Sequence, residues 1–245
     1  MGTLLMRLAA PLQSWGIDAK FDRRGTERTP TKSGIVGMVA AALGRLRNDN
    51  IDDLQSLRFG VRIDKEGILL RDYHTAKNPR TSYVTQRYYL ADAVFLVGLE
   101  GNDNLLFDIE RAVRSPAFPL FLGRRACPPE GQVSLGVRPD ASLLHALSNE
   151  PWQVSGWSGR KEGARVRLRI FMDAEDETGY TYYQRDVPIT FDQSHRKFGF
   201  RRVREPFTIT VANPYSREAT TNRPENDHDP MAELEGGNND VLVPD

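Results

Sequence analysis

The chain has 245 residues, 39% hydrophobic and 27% charged, with 33 Lys and Arg against 33 Asp and Glu and one cysteine, Cys127. That length buries a core without staples, a lone cysteine excludes an intramolecular disulfide or a CxxC zinc site, and the longest apolar run, "GIVGMVAAALG", is about half a membrane span. The zero net charge conceals an asymmetry: from Glu218 to Asp245 eight acids face one base, Arg223, leaving 32 bases against 25 acids in residues 1–217, a body charge of +7.

"TLLMRLA" (3–9) alternates as a half-buried strand, and "PLQSWG" breaks it with Gln13, Ser14 and a large indole, Trp15. A polar, basic loop follows (17–30). "TKSGIVGMVAAALGRL" then predicts a helix capped by Thr31 or Ser33, apolar on most faces and so buried on several sides; Gly34 and Gly37 admit a close neighbour. "LRFGVRI" (57–63) and "GILLRDYH" (67–74) read as a hairpin turning around Asp64 to Gly67. Residues 75–89 form a basic, aromatic excursion. "LADAVFLVGLE" reads as one buried strand, and "DNLLFDIERAVRSP" as an amphipathic helix stopped by Pro116. Strand, helix, strand, strand, excursion, strand, helix is close to the split β-α-β order of a ferredoxin-like or RRM-like domain.

Beyond it come a Pro-bounded loop, "FPLFLGRRACPP", a short helix, "DASLLHALSN", and the strands "RVRLRIFMDA", "TYYQRDVPITF" and "FTITVAN". The expected division is a first domain over 1–125, a smaller β-rich lobe over 126–213, and an acidic, disordered tail over 214–245. The N-terminus carries no basic-then-apolar leader, which points to a cytoplasmic protein without a membrane partner.

Four basic clusters suit a polyanion, and Arg outnumbers Lys in the body, which favours bidentate contact with phosphate. Lys20, Arg23, Arg24, Arg28 and Lys32 precede a helix N-terminus, where an anion is favoured; taken alone, the same residues read rather as a solvated charge run. Arg124 and Arg125 are bracketed by Gly123 and the rigid Pro128 and Pro129, which presents their guanidinium forks, to phosphate or to acids of a neighbouring lobe. Lys77, Arg80 and Arg87 interleave with Tyr83, Tyr88 and Tyr89, the pattern of cations for phosphates and rings for unpaired bases, or of a hairpin covering its sheet. "SHRKFGFRRVRE" repeats the theme, or is a basic edge strand that resists aggregation.

Enzyme signatures are scarce: no Walker motif, GxSxG, HExxH or dinucleotide fingerprint occurs. His74 stands two residues from Asp72, on the same face of a strand. It is either a general base for a ribose hydroxyl or a structural histidine.

Five segments in this order, "LLMRLAAPLQSWG", "PTKSGIVGMVAAALG", "RDYHTA", "YYLADAVFLVGLEG" and "PLFLGRRACPP", resemble the fifth Cas family of RAMP proteins, which holds the CasD subunits of type I-E CRISPR Cascade. The similarity covers about residues 3–210. It implies an α+β fold with a ferredoxin-like, RRM-like domain, a projecting β-hairpin thumb at about 75–88, and a smaller C-terminal β-rich lobe. It also implies a non-catalytic, RNA-binding subunit, without cofactor or metal, that caps the 5′ handle of the CRISPR RNA. The implied protein partners are the CasC backbone and CasA large subunits, with target DNA reached indirectly through the complex. The RNA-contacting candidates are Gln13, Ser14, Lys20, Arg23, Arg24, Lys32, Ser33, Lys77, Arg80, Tyr83, Arg87, Arg124 and Arg125. The rival reading is a metal-independent endoribonuclease acting on repeat RNA, with His74 as base and Lys77 or Arg80 stabilising phosphate charge. Trp15, beside a core strand, is expected to plug a lobe interface rather than stack on a base.

Overall fold

Why the chain builds one long sheet follows from β1 (Gly2–Ala9), whose residues alternate between two apolar layers. Leu4, Met6 and Leu8 face one core and Leu5 faces another. The computed structural model describes residues 1–16, 19–20, 23–77, 81–174 and 180–216. After β1 come β2 (Leu12–Gln13), β3 (Ala19–Lys20), β4 (Arg23–Arg24), α1 (Lys32–Ala42), α2 (Asp52–Gln55), β5 (Arg58–Lys65), β6 (Ile68–Lys77) and β7 (Ser82–Ala91). Then follow β8 (Val94–Gly101), α3 (Asp103–Arg114), β9 (Ser134–Arg138), α4 (Leu143–Asn149), α5 (Gly156–Gly159), β10 (Arg165–Met172), β11 (Thr181–Thr190), β12 (Lys197–Arg204) and β13 (Phe207–Ala212).

The main sheet runs β13-β10-β5-β8-β1-β9, with every pair antiparallel. Its stretch β5-β8-β1-β9, with α1 between β1 and β5 and α3 between β8 and β9, is the ferredoxin-like order expected of the first half. Helices α1 and α3 cover one face. Thr31 caps α1 by accepting from the Gly34 N–H, and Asn102 caps α3, which buries Leu106, Ile109 and Val113 at helical spacing. On the other face α4 packs Leu143 and Leu147 against Leu5, Leu96, Ile170 and Met172. Strands β10 and β13 extend the same sheet, so residues 126–213 supply strands to it as well as the separate β11–β12 ribbon.

Two strand readings change. The expected hairpin around Asp64 to Gly67 does not form, because both edges of β5 are taken, by β8 and β10, and β6 turns away to pair with β7. The single strand expected over 90–100 is two strands. Asp92 breaks it with φ 55°, a left-handed conformation that a short acidic side chain tolerates, and its N–H donates to the Pro11 carbonyl at 3.1 Å. The chain thereby leaves the β6–β7 hairpin and enters the core sheet. Arg80, most of the acidic tail (217–245) and the Lys20 side chain lie outside the described residues.

The ribbon is anchored by charge. Asp186 accepts from Arg201 Nε at 2.6 Å and from the Lys32 N–H at 2.9 Å, Asp173 accepts from Arg201 Nη1 at 2.6 Å and Lys32 Nζ at 3.2 Å, and the Arg201 guanidinium lies over Phe59. Burial works to lower the Arg201 pKa, but Asp186 and Asp173 outweigh it and hold the pKa above its ordinary value.

Candidate nucleic-acid interface

The segment after β1 is a joint. Strand β2 pairs with the end of β7, Gln13 opposite Leu90. The Gln13 amide nitrogen donates to the Leu8 carbonyl at 3.2 Å and the Ala93 carbonyl at 2.8 Å, and its oxygen accepts the Trp15 indole N–H at 3.1 Å. All of its hydrogen-bonding groups are thus used inside the fold. Trp15, 1% exposed, packs on Gly34, where any added Cβ would lie 2.9 Å from the ring. Its place is structural rather than base-stacking, in the core beside α1.

Four candidates therefore sit indoors. Gln13 and Lys32 are buried with internal partners, because a buried polar group must find its hydrogen bonds within the protein. Ser14 donates to the Tyr88 carbonyl at 3.1 Å, and Ser33 lies beside the Thr31 cap; both are buried at the wall of a cleft. The anion favoured at the α1 N-terminus is present, but it is the protein's own Asp186, bonded to the Lys32 N–H.

Arg23, Arg24, Lys77, Tyr83, Arg87 and Arg124 gather on the β6–β7 hairpin and its root, while Arg125 lines the cleft beside α1. Strand β4 joins β7 in parallel, Arg23 beside Gln86 and Arg24 beside Arg87, while β6 pairs along the opposite edge of β7. Side chains alternate across a strand, so this register sorts them onto two faces. One face carries Arg23, Arg71, Tyr73, Lys77 and Tyr88, with the Arg23 guanidinium 5.4 Å from the Tyr88 ring centre. The other carries Arg24, Asp72, His74, Tyr83, Arg87 and Tyr89. Tyr73 and Tyr83 are 64% and 58% exposed, so their rings are open to a partner.

Arg124 completes the second face. Its guanidinium stands 4.6 Å from the Tyr89 ring centre, and Nη2 donates to the carbonyls of Arg24 at 2.9 Å and Gly25 at 3.3 Å. The loop is held by backbone bonds, Leu122 N–H to the Cys127 carbonyl and Cys127 N–H to the Arg124 carbonyl. Gly123, at φ +86°, presses against the Ser14 carbonyl where no side chain fits. Buried Cys127 closes the turn beneath, its thiol pKa pushed up by burial. Arg124 Nη1 and Arg87 Nε are buried with no hydrogen-bond partner among the described residues. Arg23, Arg24, Arg87, Arg124 and Arg125 have no carboxylate partner among them either. A ring-bearing surface whose arginines have no carboxylate partner among the described residues is suited to an anion from outside.

Arg71 and Tyr73 belong to this surface too, although local spacing pairs "GILLRDYH" with the preceding strand and so does not single them out. Only pairing with β7 reveals them. His74 Nε2 contacts Asp72, as their shared strand face allows, on the exposed hairpin. No group of three His, Cys, Asp or Glu able to hold a metal occurs among the described residues. No helix there is long and apolar enough to cross a membrane.

Comparison with known proteins gives this surface its context. The family described as "CRISPR-associated protein (Cas_Cas5)" matches residues 3–204. The chain is 36% identical over 171 residues to the CRISPR system Cascade subunit CasD of Escherichia coli (strain K12), a match spanning 60% of this chain and 75% of that one. A solved structure titled "Crystal structure of Cas protein" is 38% identical, with TM-score 0.63 over 87% of this chain and 97% of the other. Another, titled "CRISPR RNA-guided surveillance complex", is 30% identical, with TM-score 0.71 over 90% and 97%. The ferredoxin-like order, the hairpin root and these matches agree, and the chain belongs to the CasD/Cas5 family of type I CRISPR Cascade, within the RAMP superfamily.

Proposed function

We propose that this chain is a non-catalytic, cytoplasmic subunit that clasps the 5′ handle of the CRISPR RNA in type I-E Cascade and joins the CasC backbone to the CasA large subunit, reaching target DNA only through the complex. The coarser role, RNA binding within CRISPR Cascade, is that of its family. In the finer reading the β6–β7 hairpin is the thumb, and β11–β12 belongs to the C-terminal lobe. One observation carries it: at the hairpin root Arg24, Arg87 and Arg124 gather around Tyr89 on one face and Arg23 lies over Tyr88 on the other, with no carboxylate partner among the described residues. Cations there take phosphates, and the exposed rings of Tyr73 and Tyr83 along the hairpin take splayed bases. The test is binding of the full chain to single-stranded RNA of the repeat-derived handle sequence. Tight, salt-sensitive binding of uncleaved RNA is expected, and binding unchanged by Arg24→Ala together with Arg124→Ala would refute the clasp.

A second reading, metal-independent cleavage of repeat RNA, draws on the His74–Asp72 contact, since a carboxylate on one ring nitrogen orients a histidine as a base. Incubating the protein with repeat RNA in a chelator decides between them. Cleavage that disappears in His74→Ala would select the enzyme.

A further inference from the structure

A cleft of about 520 Å³ lies between α1, the segment from 118 to 125 and the start of β12. We propose that it seats one unstacked nucleotide of the clasped strand, the base against phenylalanine rings and the phosphate on Arg125 and Arg196. The inference rests on the clasp reading and adds to it a subsite on residues outside the hairpin.

Charge comes first. Among the described residues no Asp or Glu lines the cleft, whereas Arg45, Arg47, Arg125 and Arg196 do. Arg45 is held bidentately by Asp53, both contacts at 2.5 Å, so its charge is used within the protein. The other three are exposed and have no carboxylate partner among the described residues. Three uncompensated cations around one hollow favour a phosphate.

The walls supply the rest. Phe118, 45% exposed, and the half-buried Phe121 and Phe198 line the same hollow as those guanidinium groups. Rings next to cations are the combination that holds single bases. The floor is already filled: Trp15 packs on Gly34, and the Phe191 ring lies 3.3 Å from where a Gly37 Cβ would stand. The hollow therefore keeps its shape without a ligand, and its volume lies within the range of small-molecule sites. Position settles which ligand it receives. Arg125 follows Arg124 directly, so a strand held at the hairpin root passes the mouth of the cleft within one residue. The basic run "SHRKFGFRRVRE" thereby divides: Arg201 locks the ribbon, and Arg196 and Phe198 face the cleft.

The test uses the full chain and handle RNA carrying 2-aminopurine at each position in turn. One position should change fluorescence on binding. Phe118→Ala combined with Phe198→Leu should abolish that change and weaken binding about tenfold. Arg196→Ala should lower the slope of log affinity against log salt by about 0.7. Phe118→Leu keeps apolar bulk without the ring, so its loss of the same signal at an unchanged melting temperature separates stacking from folding. The subsite is overturned if no position responds to these variants while Arg24→Ala and Arg124→Ala still lose binding, a result that leaves the clasp standing. Absence of RNA binding by the unaltered protein overturns both.

Discussion

Arg201 and Arg124 both sit in basic runs and both lie over an aromatic ring, yet the fold treats them oppositely. Arg201 is buried against Phe59 with Asp186 and Asp173 around it, and its neighbour in that network, Lys32, shares the same two acids. Arg124 lies over Tyr89 with only backbone carbonyls as partners and one nitrogen left over. An arginine that must be buried for the fold carries its counter-charge with it, since an unpaired buried charge costs several kcal/mol. One kept for an external anion must not, because an internal carboxylate would compete for the same fork.

The contrast breaks most visibly at Asp186. Asp186→Ala takes one of its two acids from Arg201 and leaves the Lys32 N–H without its acceptor, and it should destabilise the protein by about 3 kcal/mol, measured by denaturant unfolding. RNA affinity of the fraction still folded should change little. A stability loss below 1 kcal/mol would mean that the network does not anchor the ribbon. Trp15→Ala belongs to the same side of the comparison. It empties a buried site between Gln13 and Gly34, and about 3–5 kcal/mol should be lost by the same measurement. Equal melting temperature with lost RNA binding would instead make Trp15 a base-stacking residue.

On the other side, Arg124→Ala should lower the melting temperature only slightly, because it removes hydrogen bonds to carbonyls at the surface and one stacking contact with Tyr89, and no ion pair among the described residues. Handle RNA should bind about 1.5–3 kcal/mol more weakly, the range of hydrogen bonds to charged groups. The salt slope of binding should fall by about 0.7, one single-strand phosphate contact. Gln13→Ala should show the reverse pattern, lost stability without a change in slope, since its amide is spent on Leu8, Ala93 and Trp15.

Much of this was legible in the chain. Period-two and helical spacing placed β1, α1, α3 and α4, and the bracketing of Arg124 and Arg125 by glycine and proline foretold a fixed loop. Pairing was not legible. The turn signal at Asp64 to Gly67 favours β5 as the partner of β6 although β7, next in sequence, takes it, and nothing local states that β4 runs parallel to β7 or that β10 joins the first sheet, because those partners lie far apart in sequence. For the same reason Lys32 and Ser33 read as cradle residues. Their basic and hydroxyl character is local, but Asp173 and Asp186, which decide the fate of Lys32, stand about 140 and 150 residues away.

The smallest effect sharpens the comparison from the solvent side. Arg45 and Asp53 form a bidentate pair with geometry as good as that of Arg201, but both side chains are partly exposed, 25% and 40%. Hydrogen bonding to Arg45 holds the Asp53 carboxyl below its ordinary 3.8. A carboxyl depressed in the folded state stabilises above its unfolded pKa and loses that contribution as pH falls through the folded one. Solvent screening limits the gain to about 1 kcal/mol or less. Asp53→Asn should therefore lower stability slightly at pH 7, and the difference from the unaltered protein should shrink to nothing as pH drops below 3.8. Should Asp53→Asn cost as much as Asp186→Ala, exposure would not be what separates these arginines, and the count of carboxylates around each would carry the distinction alone.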